Sequence, residues 1–207
     1  MLIRDIKPRE IETESFRIIE EELGPHNFSP EEFALVRRVI HATGDFSFAE
    51  NIRFGNSPIA AGLHAIRAGR NILTDVRMAA SGISETILKK HGGRVICRVS
   101  DEKTAALAHE KEWTRSEAAM ELAASDNIGI VVIGNAPTAL LRAMEMVDQG
   151  RDGFQPELII GVPVGFVNAA ESKELLNRKP FPYITSLGRK GGTPVGVAMV
   201  NALLRLL

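Results

Sequence analysis

A single cysteine, Cys97, stands among 207 residues. No disulfide can close within the chain, and a reducing compartment is expected, with the cytoplasm as the location. An excess of one charge is missing too, since 25 Lys and Arg face 26 Asp and Glu for a formal net charge of −1. Without a global field, neither nucleic acid nor a membrane surface is expected as a partner, and an anionic ligand has to be held by local clusters of cations. No apolar run approaches the length of a membrane span. The opening, MLIRDIKPREIE, turns acidic almost at once and has no apolar h-region, so it does not read as a secretory leader. Repeats, low-complexity tracts and linkers are absent. The length suits one domain, residues 1–207, with a sizeable core, and is too short for two ordinary ones.

Several catalytic signatures are also missing. There is no GxGxxG, and GRKGGT at 188–193 lacks the spacing of a GxxxxGK[ST] loop. A GxSxG elbow is absent. The five histidines, His26, His41, His64, His91 and His109, form no HxxxH pair, and one cysteine makes no CxxC, so neither a structural nor a catalytic zinc site is expected. Cys97 lies inside RVICRV and reads as a small buried hydrophobe.

What remains is alternation. A first helix runs from about Pro8 to Leu23 and stops at Gly24-Pro25. A second is announced by Ser29-Pro30-Glu31-Glu32, an N-cap followed by a proline and acidic residues against the dipole, and ends near His41. FSFAENIRF is open between extended and irregular. Thereafter Ser57-Pro58 opens a helix that Gly69 closes, and NILTDV, RVICRV, IGIVVIG, ELIIGVPV and FPYITSL read as strands. Between and after them come SETILKKHGG, one long helix from Lys103 to Ser125, APTALLRAMEMV, AAESKELLNR and TPVGVAMVNALLRLL as helices. This order predicts an α/β fold, a single-domain, mostly parallel doubly wound sheet with helices on both faces and two N-terminal helices. The runs at 128–133 and 158–162 lack polar alternation, as strands buried on both sides should.

In such a sheet ligands bind beyond the carboxyl ends of the strands. The turns expected there are TDVRMAASG (74–82), GNAPTAL (134–140), GVPVGFVNAAES (161–172) and GRKGGTPVG (188–196). Each also reads as an ordinary strand-to-helix turn. RRVIHATGD, at 37–45, poses a separate question. Phe33, Leu35, Val36, Val39 and Ile40 make the apolar stripe of its helix, and His41 falls almost opposite, between Arg37 and Arg38. One reading is a solvated basic face suited to a helix C-terminus. The other is proton transfer to or from an anionic ligand. That second reading needs a cover, which a second subunit supplies more readily than the chain's own sheet.

Taken together, RRVIHATGDF, ILTDVRM, TRSEAAM, IGNAPTAL, GVPVGFVNAAESKE and GRKGGTPV resemble the precorrin-8X methylmutase family of cobalamin biosynthesis, along essentially the whole chain and in order. The RVIHATGDF form resembles more closely the branch that acts on cobalt-precorrin-8. The resemblance implies an isomerase that moves a methyl group from ring carbon eleven to ring carbon twelve of a corrin precursor, giving cobyrinate or hydrogenobyrinate without an external cofactor. It further implies a homodimer with a deep pocket at the subunit interface, and transient contact with neighbouring enzymes of the pathway. His41 matches the family's acid/base histidine, Ser15 in ESFRII its substrate-contacting serine, and Arg115 in the TRS motif its substrate arginine. The substrate is a flat apolar ring edged with carboxylates, so it needs a broad slot with separated cations and donors. Arg37, Arg38, Arg77 and Lys190 are further candidate cations, with Asn135 and Thr138 as donors. The small residues Ala79, Ala80, Ser81 and Gly82 would let a wide ring approach backbone. Thr43, Asp75 and Ser84, in or beside the same motifs, complete the expected substrate-binding set. Two competing readings stay open: a Rossmann-like enzyme binding a nucleotide or sugar phosphate at GRKGGT, and a corrinoid carrier without catalysis.

Overall fold

Residues 7–207 are described by the structure, a computed structural model. The first six residues of the stretch read as no secretory leader lie outside the described residues. A 3₁₀ turn at Pro8–Glu10 leads into α1 (Ile11–Leu23), which ends on Gly24 at φ 67°. α2 (Pro30–Thr43) starts on a complete capping box, in which the Ser29 hydroxyl accepts from the Glu32 N–H and the Glu32 carboxylate accepts from the Ser29 N–H. It runs two residues beyond His41 and closes on Gly44 in the left-handed region. Leu35, Val36, Val39 and Ile40 are buried, as the apolar stripe requires. FSFAENIRF resolves into α3 (Ser47–Asn51) and the edge strand β1 (Ile52–Gly55).

The regular part follows as α4 (Pro58–Arg67), β2 (Asn71–Thr74), α5 (Arg77–Gly82), α6 (Glu85–Lys90) and β3 (Val95–Ile96). Next come α7 (Glu102–Lys111), α8 (Arg115–Leu122), β4 (Ile128–Ile133), α9 (Pro137–Asp148), β5 (Leu158–Gly161), α10 (Ala169–Leu176), β6 (Tyr183–Ser186) and α11 (Thr193–Leu204). The sheet order is β1-β6-β5-β4-β2-β3, parallel throughout except for β1, which pairs antiparallel with β6. The expected doubly wound α/β architecture is therefore present. The chain steps outward from β2 to β3 and then returns to β4 on the other side of β2, so the topological switch point lies between β2 and β4.

Side-chain alternation along the strands divides the core into two layers. Ile72, Ile130, Val132, Leu158, Ile160, Val162 and Ile184 face one way. There α4 and α11 lie on the sheet, α2 lies across α11, and α1 lies across α2. Leu73, Val131, Ile133, Ile159 and Tyr183 face the other way and meet side chains of α8, α9 and α10. His41 thus rides on a helix one layer removed from the sheet.

Two expected elements differ. RVICRV forms ladder bonds only at Val95–Ile96. The long helix from Lys103 to Ser125 is two helices, α7 and α8, with Glu112 in the left-handed region at φ 56° and Trp113 between them. Thr114 restarts the backbone with a second capping box on Glu117. Its hydroxyl also meets that of Thr138 at 2.8 Å. Packing enforces the break, because the Arg142 guanidinium of α9 sits 4.6 Å from the centre of the Trp113 ring and pairs with Glu121 at 2.6 Å. The signal was local: Thr-Arg-Ser-Glu has the spacing of a capping box, hidden inside an otherwise continuous helical pattern.

Replacing Thr114 with Ala removes the cap and its contact with Thr138, and should cost about 1–2 kcal/mol of stability. Urea unfolding checks this, and a loss within error of zero would mean that α8 does not depend on its cap.

Candidate active site

At the switch point the Asp75 carboxylate is fully buried. Its Oδ1 accepts the N–H of Gly134 at 3.1 Å, and its Oδ2 accepts those of Asn135 and Ala136, each at 2.8 Å. Burial pushes this carboxyl above its ordinary range, and the three N–H donors pull it part of the way back. Asp75 therefore spends both oxygens inside the protein, and the turn that opens α9 spends its donors on Asp75. A Cβ on Gly134 would lie 2.7 Å from Cα of Thr193, so the start of α11 is packed directly against this turn.

GRKGGT is likewise laid against its own backbone. The Gly192 N–H donates to the Val162 carbonyl at 2.7 Å, and a Cβ on Gly191 would stand 2.3 Å from that same oxygen. The Lys190 ammonium donates to Asp45 at 2.6 Å and to Ser47 at 3.0 Å. The turn after β4 thus spends its donors on Asp75, and in GRKGGT the Gly192 N–H and the Lys190 ammonium are engaged within the chain.

Around the switch point, Arg115 is exposed in the first turn of α8, Asn135 is exposed, and Thr138 is held by Thr114. Arg77 is exposed at the start of α5 and lines an open recess of about 520 Å³ with Ala80, Ser81, Ile83, Glu85, Val95 and Cys97. Among the described residues the guanidinium groups of Arg77 and Arg115 have no ion-pair or hydrogen-bond partner. Ala79 is buried. Gly82 and Ser84 are stitched to α11, with Asn201 donating to the Gly82 carbonyl and accepting the Ser84 N–H, both at 2.9 Å.

The second cluster lies on α1 and α2. His41 is exposed, and the Phe16 ring meets it edge-on with centroids 5.5 Å apart. Neither imidazole nitrogen has a hydrogen-bond partner among the described residues. The two arginines beside it are already matched. Arg37 pairs with Glu20 and lies 4.2 Å from the Phe16 ring centre, and Arg38 pairs with Glu12 at 3.0 Å on the same ring. Arg38, and after it Arg205, hold the Glu12 carboxyl below its usual range. Ser15 returns its hydroxyl to the Ile11 carbonyl at 2.8 Å. Thr43 donates to the Val39 carbonyl and accepts the Asp45 N–H. The cover expected from a second subunit is thus begun by α1, although His41 stays open to solvent.

A third group escaped the sequence reading. Lys173 is fully buried in α10, and its Nζ donates to the Lys190 carbonyl at 2.6 Å. The Ser186 hydroxyl donates to the same carbonyl at 3.1 Å. Burial pushes the Lys173 ammonium down to about 8. At the surface end of this group, Lys190, and then Ser47, pull the Asp45 carboxyl down to about 2. The signal was present: Ala169, Ser172, Lys173 and Leu176 share one helical face, so a lysine stands on the buried stripe of α10. Over the same edge of the sheet, Phe166 and Val167 are 84% and 78% exposed, with the Arg189 guanidinium 5.4 Å from the Phe166 ring centre. Among the described residues no set of three His, Cys, Asp or Glu side chains converges to hold a metal, and no helix is long and apolar enough to cross a membrane.

Comparison with known proteins gives one family throughout. The Precorrin-8X methylmutase family profile matches residues 10–206. The cobalt-precorrin-8 methylmutase of Priestia megaterium is 43% identical over 199 residues, 96% of this chain and 88% of that protein. Its counterpart in Leptospira interrogans is 44% identical over 207 aligned residues, covering 96% and 93%. A crystal structure of precorrin-8X methylmutase from Thermus thermophilus superposes with a TM-score of 0.86 at 44% identity, covering 96% of this chain and 97% of that one.

Lys173 also makes the fold sensitive to pH. Its pKa falls from 10.5 in the open chain to about 8 in the folded one. Between those values the unfolded state binds more protons, so stability should rise with pH across that window, by on the order of 3 kcal/mol. The penalty is fully present below pH 8. Lys173→Met should abolish the rise and unfold at a higher urea concentration at pH 7. Identical pH slopes for the two proteins between pH 8 and 10.5 would show that the ammonium is not desolvated in solution.

Proposed function

The chain belongs to the precorrin-8X methylmutase family, and we propose that it performs that family's methyl migration with His41 as the group that carries the proton. The protein is an isomerase of cobalamin biosynthesis. The observation that carries the role of His41 is that neither ring nitrogen has a hydrogen-bond partner among the described residues. Its ring meets Phe16 edge-on and feels the charge of Glu12, whereas Arg37, Arg38, Ser15 and Thr43 beside it are engaged within the chain. An imidazole with unengaged nitrogens can serve as a general acid or base toward a ligand.

In the reaction proposed, the methyl group leaves ring carbon eleven as it joins ring carbon twelve, and no atom enters or leaves the molecule. One placed proton sets the protonation state of the conjugated ring and so controls the barrier, and it is returned at the end. The ring's peripheral carboxylates need cations that are not already paired. Arg77 and Arg115 meet that condition, and a planar guanidinium suits a carboxylate. Arg37, Arg38 and Lys190 shape the site through their internal pairs. The relatives named cobalt-precorrin-8 methylmutase favour a ring that carries cobalt as part of the substrate.

We further propose that two copies enclose the ring. His41 stands on the outer helix layer of one sheet face and Arg115 on a helix of the other face. A flat substrate that meets both and is shielded from water needs a second wall, and Phe166 and Val167 are exposed beside that edge. Sedimentation at micromolar concentration should show a dimer, and a fully active monomer would sink this arrangement.

His41→Asn can hydrogen-bond but cannot carry the proton near neutral pH. It should still fold and bind the coloured product, while turnover of cobalt-precorrin-8 falls by at least about a hundredfold. In the same assay Arg115→Lys should weaken binding by about 1.5–3 kcal/mol if the carboxylate contact is bidentate. Near wild-type turnover by the Asn variant would reduce His41 to a binding residue. Tight product binding by a wild-type protein that never converts the precursor would favour a carrier.

A further inference from the structure

We propose that Lys173, Lys190 and Asp45 form a clamp, buried at Lys173 and reaching the surface at Lys190 and Asp45, that sets the position of the helix end bearing His41, which makes Lys173 a positioning residue for the methyl shift. The clamp can be followed bond by bond. The Lys173 ammonium donates to the Lys190 carbonyl, which the Ser186 hydroxyl also reaches. The Lys190 side chain leaves the loop between β6 and α11 and donates to Asp45 and Ser47. The Asp45 N–H donates to the Thr43 hydroxyl, which donates to the Val39 carbonyl in the last turn of α2. His41 sits in that turn.

Two features make such a clamp necessary. The loop it holds contains Gly188 at φ 77° and Gly192 at φ 118°, backbone with few conformational limits of its own. α2 lies on α11 and not on the sheet, so its C-terminal end is not located by strand pairing.

Stability does not account for Lys173. Its ammonium has no carboxylate partner among the described residues, and burial of an unpaired charge is unfavourable compared with a methionine of similar length. A fully buried side chain cannot touch the substrate either. What it does reach is the one carbonyl whose residue carries the link to Asp45.

The inference rests on the reading of His41 given above, and four variants separate the two. Lys173→Met, Asp45→Asn, their combination and His41→Asn would each be assayed for kcat and KM with cobalt-precorrin-8 and for melting temperature. Lys173→Met should melt at or above the wild-type temperature while kcat falls about ten- to a hundredfold, with KM changed by less than about threefold. Asp45→Asn cuts the same chain at a solvent-accessible point and should lower kcat by a similar factor. The double variant should be no slower than the slower single one, because both break one linkage. A wild-type kcat in Lys173→Met overturns the clamp, as does a large rise in KM with kcat intact. If Lys173→Met does not fold, Asp45→Asn decides alone, and a wild-type kcat there overturns the proposal. Should His41→Asn stay active, the reading of His41 fails and takes the clamp with it. An inactive His41→Asn beside active clamp variants removes the clamp only.

Discussion

Three backbone N–H groups converge on one carboxylate where a doubly wound sheet ordinarily opens to take its ligand. Asp75 leaves the end of β2, and the N–H groups it binds start the turn after β4, so the contact bridges the strands on either side of the switch point. A buried carboxylate is costly unless its oxygens are satisfied, and here all the donors come from a neighbouring backbone. The crevice is thereby closed from within. Gly134 in the same turn admits the start of α11, and α11 carries α2. The outer helix that presents His41 is thus seated on a structure held together at Asp75.

With the crevice closed, the candidate groups lie further out. His41 and its arginines occupy the α1–α2 layer, Arg77 and Arg115 occupy the edge of the sheet, and exposed Phe166 and Val167 stand at that edge. This distribution spreads the cations over the outer helix layer and the edge of the sheet. It also divides the cations by task. Arg37 and Arg38 stack on Phe16 while held by Glu20 and Glu12, and they build the wall beside His41. The guanidinium groups of Arg77 and Arg115 have no partner among the described residues.

Much of this was legible in advance. The cap at Ser29, the stop at Gly24, the proline-initiated helices and the unalternating runs of β4 and β5 place the elements correctly, because each signal acts within one turn or one strand of chain. The motif order pointed to the family that the comparisons show. The break at Glu112–Thr114 was written in the Thr114–Glu117 spacing, but the helical pattern on both sides concealed it until Arg142 and Trp113 were seen to meet.

The sequence by itself determined the order of helices and strands, the parallel sheet, and the set of polar residues from which a site is built. Which of those residues are free was decided only by tertiary structure. Asp75 meets its donors 59 to 61 residues away, and Lys190 meets Asp45 across 145. Arg38 meets Glu12 across 26. Periodicity and capping act over a few residues and are blind to such pairs. A buried polar group must find a partner wherever packing brings one, and that partner decides whether a charged side chain braces the fold or remains for the substrate.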